Sequence, residues 1–121
     1  MNNQQTRAAC LLRIFLGESD RYDGQPLHEL MVKEARRRGL SGATVLRGIM
    51  GFGANSRVIH SAKWLELSSD LPLVVEIVDL ESNVRDFAAW AEDLFERSGA
   101  GGLVTLEKAE VIRYQPGKKE K

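Results

Sequence analysis

Val84, Phe87, Ala88, Ala91, Leu94 and Phe95 recur at three- and four-residue spacing, which puts all six on one face of an α-helix. A helix with one apolar stripe gains its stability by packing that stripe on another apolar surface, so the remaining chain has to supply one. Ser82 or Asn83 is placed to cap the start of this helix and Gly99 to close its end. Trp90 falls at the margin of the stripe, as a core-edge residue.

The surface comes from strands. In residues 11–16, Leu12, Ile14 and Leu16 alternate with Leu11, Arg13 and Phe15, the period of a strand with mostly buried surroundings. A polar turn from Gly17 to Gly24 leads to Pro26 at the first helical position, and Leu27, Leu30, Met31 and Ala35 form the stripe of a first helix. Gly39 closes that helix, with Leu40 making the contact beyond it. The cations of Arg36-Arg37-Arg38 suit the partial negative charge at its C-terminus.

Ala43-Thr44-Val45-Leu46-Arg47 reads as a second strand, and 73–79 as a third, started by Pro72. Residues 103–114 supply the last strand, with a break expected near Lys108-Ala109, and Lys63–Leu67 suggests a short accessory strand. The order is βαββαβ, an antiparallel sheet with both helices on one face. Leu11, Phe15, Val45 and Val74 are then expected on the uncovered face, which predicts an apolar patch or packing between subunits.

At 121 residues one domain and one core are expected. Residues 1–8 are read as a flexible N-terminus, 9–114 as the domain and 115–121 as a flexible C-terminal tail. The polar start and short apolar runs predict neither an export signal nor a membrane span, hence a cytoplasmic chain. Seventeen basic and seventeen acidic residues cancel, which argues against nucleic acid as a partner. Cys10 is the sole cysteine; its strand position predicts core filling, and an intrachain disulfide is excluded.

Five glycines, Gly39, Gly42, Gly48, Gly51 and Gly53, surround the second strand, and about twenty residues separate it from the third. Glycine allows both tight bends and close approach of a ligand to backbone amides. The stretch ends in no Gly-Lys-Ser/Thr and no helix follows it, so neither a P-loop nor a dinucleotide fingerprint fits. Spacing alone leaves a bent hairpin and an anion-binding loop equally open.

Gly42-Ala43-Thr44-Val45, then Gly51-Phe52-Gly53, a long loop, and Leu71-Pro72-Leu73-Val74-Val75-Glu76-Ile77-Val78 resemble the PII signalling proteins. There such motifs occupy the second strand, the base of the mobile T-loop and the third strand. More closely, Leu12-Arg13-Ile14-Phe15-Leu16-Gly17-Glu18-Ser19-Asp20, residues 42–48 and Gly102-Leu103-Val104-Thr105 are similar to the PII-like group called domain of unknown function 190. The resemblance spans residues 9–114. It implies a ferredoxin-like fold, a homotrimer with sheets lining its interior, and clefts between subunits that hold an adenine nucleotide or another phosphate-bearing metabolite.

Carried over by position, Thr44, Gly51, Phe52 and Gly53 match the cleft, and Arg113 matches a basic residue of the last strand that reaches toward phosphate. Gly48 belongs to the same glycine run. Arg47, Arg57 and His60 flank the glycines and can supply charge-assisted bonds to an anion. The PII loop of Gly-Lys-Ile-Gly-Asp-Gly-Lys type is replaced by Ser98-Gly99-Ala100-Gly101-Gly102-Leu103. Its phosphate-binding lysine has no counterpart, and Gly101 and Gly102 can still offer amides. Residues 53–71 lack the tyrosine that PII proteins offer for nucleotidylation.

The resulting expectation is a regulatory protein that binds a small anionic ligand, a nucleotide by preference, and acts through residues 53–71 on a partner, of which a membrane transporter is the type the resemblance implies. The alternatives are a small enzyme acting on a nucleotide and a divalent-metal-binding trimer. His28, His60, Glu18, Asp20 and Cys10 show no nucleophile, base and orienting acid at a recognisable spacing. Two histidines and one cysteine make a dedicated metal site unexpected.

Overall fold

A computed structural model describes residues 7–54, 56–61 and 70–118. The elements run β1 (Arg7–Gly17), β2 (Arg21–Tyr22), β3 (Gln25–Pro26), α1 (Leu27–Arg37), β4 (Thr44–Arg47), β5 (Met50–Gly53), β6 (Ser56–Ser61), β7 (Pro72–Asp79), α2 (Glu81–Ser98) and β8 (Leu103–Val111). One four-stranded antiparallel sheet has the order β4-β7-β1-β8. This is the ferredoxin-like arrangement: each βαβ half leaves a gap one strand wide, and a strand of the other half fills it.

Alternation along the strands separates the two faces. Leu12, Ile14 and Leu16 of β1 join Leu73, Val75 and Ile77 of β7 beneath Leu27, Met31 and Ala35 of α1 and Val84, Phe87, Ala91 and Leu94 of α2. Cys10 is part of this core, as its pattern predicted. Trp90 sits at the margin, its ring centroid 5.4 Å from that of Phe87. Each fully buried large side chain of this set contributes about 1.5–3 kcal/mol relative to exposure.

On the other face, Leu46, Val74, Phe15 and Leu103 face one another in register across all four strands. Leu46 and Leu103 remain 49% and 53% exposed. The next row on this face is Thr44, Glu76, Arg13 and Thr105. Arg13 Nε donates to Glu76 Oε2 at 2.9 Å, and its other arm reaches Glu107.

Several expectations need correction. Val45 pairs with Val75 and packs against the helix-side core, so Leu46 takes its place on the open face. In Thr44–Arg47 either alternating set carries one apolar residue, and only pairing with β7 decides between them. Arg7 and Ala8 are not a free terminus but pair with Val111 and Glu110. β8 runs unbroken through Lys108-Ala109. Pro26 precedes α1 rather than opening it, because it pairs with Arg21. The accessory strand at 63–67 lies outside the described residues, as do residues 1–6 and 119–121 of the termini.

Neither Ser82 nor Asn83 caps α2, which starts at Glu81 after Leu80. The carboxylate just before it does related work. Asp79, 1% exposed, accepts from the Leu80 N–H at 2.7 Å and Asn83 Nδ2 at 3.0 Å through Oδ1, and from the Ser41 N–H at 2.8 Å through Oδ2. It thereby ties the end of β7 to the start of α2 and to the segment entering β4. Gly39 and Gly99 follow their helices with φ of 72° and 74°, as expected for left-handed closures.

Asp79→Ala leaves two backbone donors without their acceptor in a buried place, and urea denaturation is expected to show a loss of about 2–4 kcal/mol. At the end of α1, Arg37 and Arg38 both bond to Glu34. Chiefly the hydrogen bonds from Arg37, joined by that from Arg38, outweigh desolvation and hold the Glu34 carboxyl at about 2, below its ordinary 4.5. A depressed carboxyl stabilises the fold fully above its unfolded value and loses that contribution as pH falls through the folded one. Glu34→Gln is therefore expected to lower stability at neutral pH, with the deficit shrinking between pH 4.5 and about 2. Denaturation midpoints across that window check it.

Candidate functional site

Where β1 ends, the chain turns sharply and is stitched to the start of β7. The Gly17 N–H donates to Asp20 Oδ2 at 2.9 Å, and Asp20 is buried. The Glu18 N–H donates to the Leu71 carbonyl at 2.9 Å, and the Ser19 N–H to Asp70 Oδ1 at 2.9 Å. A Cβ on Gly17 would lie 2.6 Å from Asp70 Oδ1, so the missing side chain is what lets the carboxylate in.

Beside this turn β4 gives way to the β5–β6 hairpin. The Gly48 N–H donates to the Pro72 carbonyl at 2.7 Å, and a Cβ there would meet Pro72 Cγ at 2.9 Å. Gly48 is thus accounted for by close packing on β7. In the hairpin Gly51 pairs with His60 and Gly53 with Ser56, with an irregularity between. Across the gap, Gly102 threads between α2 and β1: a Cβ there would lie 2.6 Å from Phe95 Cζ and 3.0 Å from the Phe15 carbonyl oxygen.

These segments enclose a cavity of about 470 Å3, within the range of small-molecule sites. Phe15, Leu16 and Gly17 line it from β1, Gly51, Phe52, Gly53 and Ala54 from β5 and its turn, and His60 from β6. Asp70, Pro72 and Leu73 close it at the head of β7, and Gly101, Gly102 and Leu103 at the head of β8. Two glycine segments far apart in sequence therefore face one space, since β1 brings its neighbours' ends together.

Of the residues singled out in the sequence, Gly51, Phe52, Gly53, His60, Gly101 and Gly102 line this cavity. Thr44 does not; register puts it on the open sheet face beside Glu76. Arg47 is held by Glu18, its terminal nitrogen 2.7 Å from Oε2. Arg113 lines a second concavity with Ser41, Val78 and Tyr114, at the end of the sheet remote from the first. The side chain of Arg57 lies outside the described part of the structure. Phe15, Gly17, Asp70, Pro72 and Leu103 were not anticipated as lining; Gly17 directly after a strand was the one local signal.

The described lining combines apolar walls, glycine backbone, one imidazole and one carboxylate, with no lysine or arginine. No serine or cysteine stands among the described lining residues. No group of three metal-ligating side chains occurs among the described residues. No described helix is long and apolar enough to cross a membrane.

The chain is 43% identical over 103 residues to a UPF0166 protein of Aquifex aeolicus, covering 84% of this chain and 91% of the relative. A UPF0166 protein of Methanocaldococcus jannaschii is 38% identical over 105 residues, covering 87% and 93%. Among solved structures, CPII of Thiomonas intermedia K12, a nitrogen regulatory PII-like protein bound to ADP, AMP and bicarbonate, superposes with a TM-score of 0.67 at 18% identity over 90% of this chain and 92% of its own. A PII-like signaling protein of Thermus thermophilus does so with a TM-score of 0.55 at 18% identity, over 90% and 94%. These structures share the fold, and neither the relatives nor the two structures are named as enzymes. The family model for domain of unknown function 190, described as "Uncharacterized ACR", matches residues 9–111, and the chain belongs to that family.

Proposed function

We propose that the chain is a PII-like regulatory protein that takes an adenine nucleotide, or a chemically similar phosphate-bearing metabolite, in the cavity between Gly51–Gly53 and Gly101–Gly102. The observation that carries this reading is the convergence of the two glycine segments on one space at the head of the sheet. Amides on glycine can approach an anion without side-chain interference. The nucleotides bound by CPII, whose fold this chain shares, support the choice of ligand class.

The cavity has no cation among its described lining residues, and a phosphate requires one or a dense set of amides. Arg113 stands at the far end of its own sheet, so it reaches such a ligand only from a second copy. The open face favours such copies: a row of four apolar side chains, Leu46, Val74, Phe15 and Leu103, crosses it with two of them about half exposed. The reading therefore includes a homotrimer in which each cleft is shared, with Thr44, Arg47, Gly48 and Arg57 near its rim. Ligand binding then acts through residues 53–71 on a partner protein, a membrane transporter being one type.

Isothermal titration with ADP and AMP at high protein concentration tests ligand class, and absence of heat with both counts against it. Native mass spectrometry is expected to give three times the chain mass. A Cβ on Gly53 meets nothing within 4 Å, so Gly53→Asp is expected to fold normally and weaken ADP binding at least about tenfold by placing a carboxylate near the phosphates. Arg113→Ala is expected to weaken it similarly. When subunits of the two variants are mixed and exchanged, an Arg113→Ala cavity meets the intact arginine of a Gly53→Asp copy, and some sites of wild-type affinity return. No recovery on mixing sinks the shared cleft.

A further inference from the structure

The cavity that the proposed function assigns to a nucleotide holds a carboxylate, which an all-phosphate site would exclude. Asp70 lines it and is held on its wall by the Ser19 N–H at 2.9 Å. The absence of a side chain at Gly17, where a Cβ would lie only 2.6 Å from Oδ1 and 3.1 Å from Oδ2, gives the group its place. The turn carrying Ser19 is itself fixed by the Glu18 N–H bond to the Leu71 carbonyl and by buried Asp20. A carboxylate in this position is part of the built wall rather than a free surface acid.

The same cavity has Phe15, Phe52, Pro72 and Leu103 among its walls, surfaces suited to a flat, uncharged ring rather than to phosphate oxygens. Carboxylate oxygens accept hydrogen bonds and repel anions. The carboxylate itself therefore suits the neutral part of the ligand better than its phosphates.

We propose that Asp70 is the specificity-determining residue of this cavity: its carboxylate accepts a hydrogen bond from an amino or hydroxyl donor on the base or ribose, and turns the phosphates away toward the glycines. One oxygen serves the Ser19 amide and the other serves the ligand. Discrimination follows because a ligand without a donor at that point leaves a partly desolvated carboxylate unanswered. This inference rests on the nucleotide reading and adds the ligand's direction and the group that reads it.

Asp70→Asn is the informative variant. Its amide oxygen can keep the Ser19 bond, while its NH2 group replaces the second acceptor with a donor. Titrations of ADP, adenosine and inorganic pyrophosphate into wild type and Asp70→Asn, with circular dichroism to establish that both fold, make the test. ADP and adenosine are expected to weaken by the same factor, at least about tenfold, while pyrophosphate is unchanged. A rise in affinity for ADP and pyrophosphate together would mean that the carboxylate faces the phosphates and would overturn the proposal, as would unchanged ADP affinity. Failure of wild type to bind ADP, adenosine or pyrophosphate overturns the nucleotide reading itself, and this inference with it.

Discussion

Strand β1 is hydrogen-bonded along both edges, to β7 from Cys10 to Gly17 and to β8 from Arg7 to Phe15. From Cys10 to Phe15 each residue therefore has its face assigned by two neighbours at once, and a slip of one position would carry Leu12, Ile14 and Leu16 out of the core while burying Arg13. Those three side chains and their partners on β7 form the floor on which α1 and α2 lie. Both helices and both crossover connections depend on that pairing. Asp79 completes the linkage at the opposite end of β7 by holding the entry to β4 and the start of α2 through one buried carboxylate.

The same pairing creates the cavity. Antiparallel neighbours place the end of β1 beside the starts of β7 and β8, so the turn 17–20, residues 70–73 and residues 101–103 meet although they lie far apart in the chain. The β5–β6 hairpin then covers this end, with Gly48 and Gly51 packed closely on Pro72. Glycine has two physical roles in this region. At Gly17, Gly48 and Gly102 it admits neighbouring groups that a Cβ would exclude, whereas at Gly53 there is room for a side chain. A count of glycines cannot separate those roles.

The open face carries a complementary feature. Arg13 sits between Glu76 and Glu107, so a paired charge, in one row with Thr44 and Thr105, interrupts the apolar surface of this face. Exposed ion pairs contribute little to stability, typically about 0–1 kcal/mol. Their stronger effect is on which surface can sit against them, because a partner has to match both the charge row and the apolar row beside it.

The legible parts of this protein were those written in local periodicity. The stripe Val84 to Phe95 and the alternation around Leu12 to Leu16 determined the helix, the central strand and the helix-facing core, and Gly39 and Gly99 marked two helix ends. Motif resemblance brought Gly51 to Gly53 and Gly101 to Gly102 forward as a pair. Tertiary structure decided what local pattern left degenerate: the facing of Val45 and Leu46, which only pairing with Val75 and Val74 resolves, and the end of the sheet on which Arg47 and Arg113 stand. It also brought Asp70 against Gly17. That contact joins residues more than fifty positions apart, and no periodicity in a sequence encodes where two strand ends meet; hydrogen-bonded register does.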